Sequence, residues 1–192
     1  MDFPYDFVMD KRLFVAGVIL SGMLTGIATA SAEPTDATSA SVEDLIVTIP
    51  TLSGQGVDTF TLSDGFAQKQ NPSQSGDPTL PPTTVRIVGE PVPGDVEGDG
   101  DPDEALLLVV NYGGTGSFYS AVVAINDGDS YQASNALALG DRIQPQTIEF
   151  RDGQFVYNYL VHTPDQGASD VPTVPKTTLI NLDSATGTIS TS

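Results

Sequence analysis

The 192-residue chain contains no cysteine and no tryptophan, one histidine, and only 7 lysines and arginines against 25 acidic residues. Without cysteine there is no disulfide, no thiolate metal site, no cysteine nucleophile and no lipid-modified N-terminal cysteine. The folded part must hold itself by core burial, with a bound metal as the one staple left. A lone histidine, His162, rules out a histidine-rich zinc site. The missing tryptophan argues against a sugar-stacking cleft. The formal net charge of −18 repels a phosphate backbone or an anionic membrane face, so neither nucleic acid nor an anionic membrane surface is an expected partner. Solubility, adaptation to salt and cation binding each account for such acidity.

Hydrophobic residues make up 39% of the chain, enough for a core. They are unevenly spread. Lys11 and Arg12 precede an apolar run over 13–30, broken by Gly17, Gly22 and Gly26 and ending on Ala30-Ser31-Ala32 with Glu33 next. Basic start, short apolar run and small-x-small exit together predict a cleaved export signal over 1–32. A retained anchor helix is the alternative, at the short end of the spanning range. Asp2, Asp6 and Asp10 are unusual ahead of such a run, and a start at Met9 would give a more ordinary one. Removing 1–32 takes away three acids and two bases, leaving 22 acids against 5 bases and a net charge of −17. The expected location is periplasmic or extracellular.

Residues 33–43 open with Ser, Thr, Ala and Pro without periodicity and read as a flexible leader. From 44 to 192 short apolar runs alternate with turn residues, which predicts one β-rich domain. Strands are expected over 45–49, 59–62, 84–88, 105–110, 118–125, 131–139, 147–150, 155–161, 176–182 and 188–190. The second of these ends at the Asp64-Gly65 turn, and Asp152-Gly153 is a short hairpin signal. The unbroken apolar run 105–110 marks a strand buried on both faces, whereas Phe155, Tyr157, Tyr159 and Val161 alternate onto one core face. No segment keeps a helical period. The predicted fold class is mainly β, a single antiparallel meander closing as a sheet, sandwich or barrel.

One stretch carries chemistry. Between Asp95 and Glu104, six of ten residues are acidic. Asp95, Glu97, Asp99 and Asp103 fall at positions 1, 3, 5 and 9 of a loop with Gly100 at position 6 and Asp101 at position 7. Calcium takes six to eight hard oxygens, and alternate positions of a tight loop converge on one centre while glycine permits the turn. Position 12 is Leu106 rather than glutamate, so this is not an EF-hand. The expected metal ligands are Asp95, Glu97, Asp99, Asp101 and Asp103, the expected cofactor is calcium, and the competing reading is a solvated acidic turn.

The segment Gly94-Asp95-Val96-Glu97-Gly98-Asp99-Gly100-Asp101-Pro102-Asp103 ahead of an apolar strand resembles the calcium loops of integrin-type FG-GAP repeats, although those come as several blades and one loop is present here. Over residues 45–182 the chain also resembles a family of bacterial secreted proteins and lipoproteins. That likeness rests on Leu62-Ser63-Asp64-Gly65, the acidic loop, Gly113-Gly114-Thr115-Gly116-Ser117-Phe118, Leu139-Gly140-Asp141-Arg142, His162-Thr163-Pro164-Asp165 and Pro172-Thr173. Some members carry a cysteine pair where Asp170-Val171 stand here. The resemblance implies an exported domain and supplies no activity.

Other residues invite catalytic readings and answer better to structural ones. His162 with Asp165 and a serine would suggest a hydrolase, but there is no GxSxG motif. A hydrogen-bonded histidine at a strand end is the plainer expectation. The 113–116 glycines lack a following lysine and read as a connection between strands, and Asp141-Arg142 reads as a structural ion pair. The expected function is an exported, non-enzymatic binding or structural module with no catalytic residues, a calcium-stabilised loop and a protein partner in the cell envelope. A small hydrolase using His162 with a serine or carboxylate is the alternative.

Overall fold

Residues 40–70 and 81–192 are described by the computed structural model. The predicted export signal over 1–32, the leader up to residue 39 and most of the 70–82 loop lie outside the described residues. Thirteen strands follow in order: β1 (Ile46–Pro50), β2 (Val57–Thr61), β3 (Phe66–Lys69), β4 (Thr83–Ile87), β5 (Val92–Gly94), β6 (Asp103–Asn111), β7 (Phe118–Asn126), β8 (Tyr131–Ala133), β9 (Leu137–Asp141), β10 (Gln144–Arg151), β11 (Gln154–Val161), β12 (Val174–Asp183) and β13 (Thr188–Thr191). The fold is mainly β, with strands over 55% of the described residues and no α-helix among them.

The apolar run in β6 becomes the centre of the molecule because it has no polar face to offer water. Side chains of successive strand residues point to opposite faces. Leu106, Leu108 and Val110 therefore enter one core with Val122 and Ala124 of β7, while Ala105 and Leu107 enter a second core with Ala121 and Val123. Every one of these nine side chains is at most 4% exposed. At ~1.5–3 kcal/mol for each large aliphatic side chain fully buried, this strand pair contributes more apolar stabilisation than any turn or ion pair could.

The first core lies inside a curled half-barrel sheet ordered β3-β4-β6-β7-β8, with β5 also on β6 and β9 also on β7. The β1–β2 hairpin runs beside β8 on one side and β3 on the other, bringing Leu45, Val47, Ile49, Phe60 and Leu62 into the same interior. Ahead of β1, Val42–Asp44 form a turn of 3-10 helix capped by Ser41, and Val42 packs against this core, so the last residues of the leader are part of the folded body. The second core lies between the other face of β6–β7 and a four-stranded sheet ordered β10-β11-β12-β13. Tyr157 pins the two sheets. Its buried hydroxyl donates to the Leu106 carbonyl at 3.0 Å, and burial pushes its pKa up.

All strand pairs are antiparallel. The Asp152-Gly153 hairpin signal holds, with φ 54° and 77°, the left-handed pair a two-residue turn requires, and the Asp64-Gly65 turn has the same geometry at 51° and 72°. The run 131–139, expected as one strand, is two. Ser134 interrupts it because its hydroxyl accepts the Val123 N–H at 2.9 Å, so β8 and β9 pair separately along the same edge of β7.

Candidate metal-binding loop

Residues 95–102 connect β5 to β6, whose register is Val92↔Ala105, Pro93↔Glu104 and Gly94↔Asp103. The acidic residues thus stand on a hairpin loop rooted in the central strand. Gly94 is buried at its base, where a β-carbon would overlap the Phe150 ring of β10. Gly98 and Gly100 adopt φ 77° and 101°, conformations that favour glycine, and they allow the chain to curl about Asp95.

Asp95 organises the turn. Its Oδ1 accepts from the amides of Gly98 at 2.6 Å and Asp99 at 3.1 Å, and its Oδ2 accepts from Gly100 at 3.0 Å. Asp99 Oδ1 accepts from the Asp101 amide at 3.0 Å. Asp103, only 1% exposed, closes the loop from the other end by accepting from Val96 at 2.9 Å and from Asn126 at 3.0 Å. The carboxylates of Glu97 and Asp101 carry no hydrogen bond among the described residues and are half-exposed and exposed respectively.

Electrostatics record how closely these groups crowd. Burial raises the Glu97 pKa, reinforced by the charges of Asp103, Asp99 and Asp95. Asp103 is also raised by burial, against the lowering effect of its two amide bonds, and Asp99 and Asp95 add to the rise. Glu104 is raised by burial and by Asp103, and its Oε2 is a buried oxygen with no hydrogen-bond partner. Among the described residues no basic side chain forms an ion pair with these carboxylates. The two ion pairs among the described residues, Lys69–Asp58 and Arg142–Asp141, lie elsewhere. As the loop lies, no three acidic or histidine side chains among the described residues stand within reach of one ion.

A second acidic turn, 126–129, abuts the first, a partnership that sequence reasoning missed. Asn126 donates its side-chain amide to the Pro102 carbonyl at 3.0 Å, and its main-chain amide goes to Asp103. Asp101 Oδ2 lies 3.0 Å from where a β-carbon on Gly128 would stand. Asp127 accepts the amides of Asp129 and Ser130, which hold its pKa low. The signal was visible as Asn126-Asp127-Gly128-Asp129, but only the fold sets it against residues 101–103.

His162 follows β11, and its Nε2 donates to the Asp170 carbonyl at 2.9 Å. Arg142 pairs with Asp141 and reaches Thr115 Oγ1 at 3.3 Å, while its amide donates to the Ser117 carbonyl at 2.7 Å. The hydrogen-bond partners of His162 and Arg142 share no residue. The 113–116 glycines join β6 to β7, their turn held by the Asn111 side-chain amide on the Gly114 and Gly116 carbonyls. No family model, curated protein or solved structure matches this chain.

Proposed function

We propose that this protein is an exported, acidic binding or structural module of the periplasm or cell exterior, whose 95–103 loop takes up calcium and thereby stiffens the root of β6. The observation that carries the reading is the crowding of Glu97 by three carboxylates, Asp95, Asp99 and Asp103, with no basic side chain among the described residues paired to the loop. A hard dication bound by oxygens relieves such a field. Asp95 holds the turn closed through three amides, which leaves Asp99 Oδ2 and the carboxylates of Glu97 and Asp101 without hydrogen bonds among the described residues and free to serve as ligands. Calcium would be structural, because the loop itself fills the coordination sphere. The small-x-small exit at Ala30-Ser31-Ala32 supports export, and the likeness to bacterial secreted proteins supports the same location. The hydrolase alternative draws no support from the partners of His162, whose ring is committed to a main-chain carbonyl.

Melting curves in chelator, then in calcium or in magnesium, test the reading. Calcium at ~100 times its dissociation constant adds about 2.7 kcal/mol, a rise of several degrees for a domain this size. A rise selective for calcium and lost in Asp99→Ala is expected. No rise, or an equal rise with magnesium, overturns the calcium site.

A further inference from the structure

A cleft of about 220 Å³ opens into the second core where β10 lies over the connection between β4 and β5. Its apolar walls are Leu107, Leu139, Ile143, Ile148, Tyr157 and Tyr159, drawn from four strands and the β9–β10 connection. Two features of the chain keep this side of the core open. The β10–β11 ladder slips between Pro145 and Thr147, so the edge strand bulges at Gln146 at the mouth of the cleft. Opposite it the chain turns at Gly89, with φ 77°, and that turn forms the other lip.

The chemistry of the walls narrows what fits. Both tyrosine hydroxyls are engaged away from the space: Tyr157 donates to the Leu106 carbonyl, and Tyr159 shares a 2.9 Å hydrogen bond with Thr178. What remains for an occupant is ring face and aliphatic surface. The Gln146 side-chain amide donates to the Pro145 carbonyl at 3.0 Å, leaving its carbonyl as an acceptor at the rim. Glu90 is the one charged residue of the lining, and no lysine, arginine or histidine lines the cleft. Size sets a further limit, since a dry apolar cavity of about 150 Å³ accommodates benzene.

We propose that this cleft is a binding site for a small apolar ligand without negative charge, about one ring bearing a short chain that ends in a neutral or amine group. A carboxylate-bearing ligand would bring its charge beside Glu90 at the rim, a like-charge repulsion with no lining cation to offset it. The cleft faces the second core and uses none of the loop carboxylates, so it stands independently of the calcium reading.

The test is methyl NMR of the labelled protein titrated with 2-phenylethanol, 2-phenylethylamine and phenylacetate. Saturable shifts of the Leu139, Ile143 and Ile148 methyls are expected with the first two, while Val47 and Val85 of the barrel interior stay unmoved. Phenylacetate is expected to bind several-fold more weakly, because its carboxylate meets the Glu90 charge at the rim with no cation to pair it. In Ile148→Trp, where the indole fills the space, the shifts at Leu139 and Ile143 disappear. If that variant does not fold, the location of the shifts in the wild-type protein decides. No saturation up to the solubility limit, shifts shared by both cores, or an unchanged response in folded Ile148→Trp overturns the site. Equal affinity for phenylacetate overturns the ligand class.

Discussion

At Gly94 the absence of a β-carbon lets the Phe150 ring close over the base of the acidic loop. Gly114 stands at the other extreme, with nothing within 4 Å of a β-carbon placed there and no left-handed φ. Overpacking against a core ring costs about 1–3 kcal/mol, whereas alanine at an unstrained glycine is neutral or gains about 0.4–1 kcal/mol by narrowing the unfolded ensemble. Denaturant unfolding should therefore show Gly94→Ala destabilised by that larger amount and Gly114→Ala unchanged or slightly more stable. Equal effects at the two positions would mean that the Phe150 contact does not hold β10 in place. Tyr157 belongs at this scale too. Its ring was legible from alternation along 155–161, but its hydroxyl partner, the Leu106 carbonyl, is 51 residues away and could not be read from any local pattern.

The β5–β6 hairpin and the 126–129 turn act as one element through Asp103. Its buried carboxylate accepts from Val96 and Asn126, so removing it strands two amides at once. Hydrogen bonds to a charged group contribute about 1.5–3 kcal/mol, and donors left unsatisfied add desolvation cost. We expect Asp103→Ala to lose at least about 2 kcal/mol and Asp103→Asn, which keeps one acceptor, to lose less. Hydrogen exchange should rise at both Val96 and Asn126 in the alanine variant; a rise at Val96 alone would show that the two turns are not coupled. Elements with strong period-2 or continuous apolar patterns, such as β6, β7 and β11, were plain in the sequence. β3 and β5 were not, because four and three residues are too short for a pattern and β5 reads Val92-Pro93-Gly94. The loop's ligand spacing was equally plain, while its partnership with Asn126 depends on a strand register that no spacing encodes.

For the whole molecule, a net charge of −17 on the chain beyond residue 32 sets how stability answers to solution conditions. Raising salt from about 0.01 M to about 1 M shortens the screening length from roughly 30 Å to roughly 3 Å, and self-repulsion falls with it. The melting temperature in chelator should rise over that range; a fall would mean that attractive pairs, not repulsion, dominate the surface. Acidity acts in the same direction. The folded-state pKa values of Glu97, Asp103 and Glu104 are raised, chiefly by burial. Their contribution is fully present below the ordinary carboxylate range near ~4 and is lost as pH rises through the higher folded values. Asp127 is shifted the other way, but it is fully exposed. Metal-free protein should therefore melt highest near the ordinary carboxylate value of ~4 and lose stability as pH rises through the higher folded values. Calcium should reduce that loss, because binding an ion displaces the same protons. The arrangement of β1–β2 between β8 and β3, which closes the first core, was open in the sequence among sheet, sandwich and barrel, since hairpin signals fix neighbours in the chain but not which sheet edges meet. The most direct test of the calcium-loop account is titration calorimetry of calcium into metal-free protein at two pH values. One ion should bind per chain, more tightly at the higher pH, with binding lost in Asp99→Ala while the fold persists. Heat indistinguishable from that of Asp99→Ala, or affinity independent of pH, would contradict it.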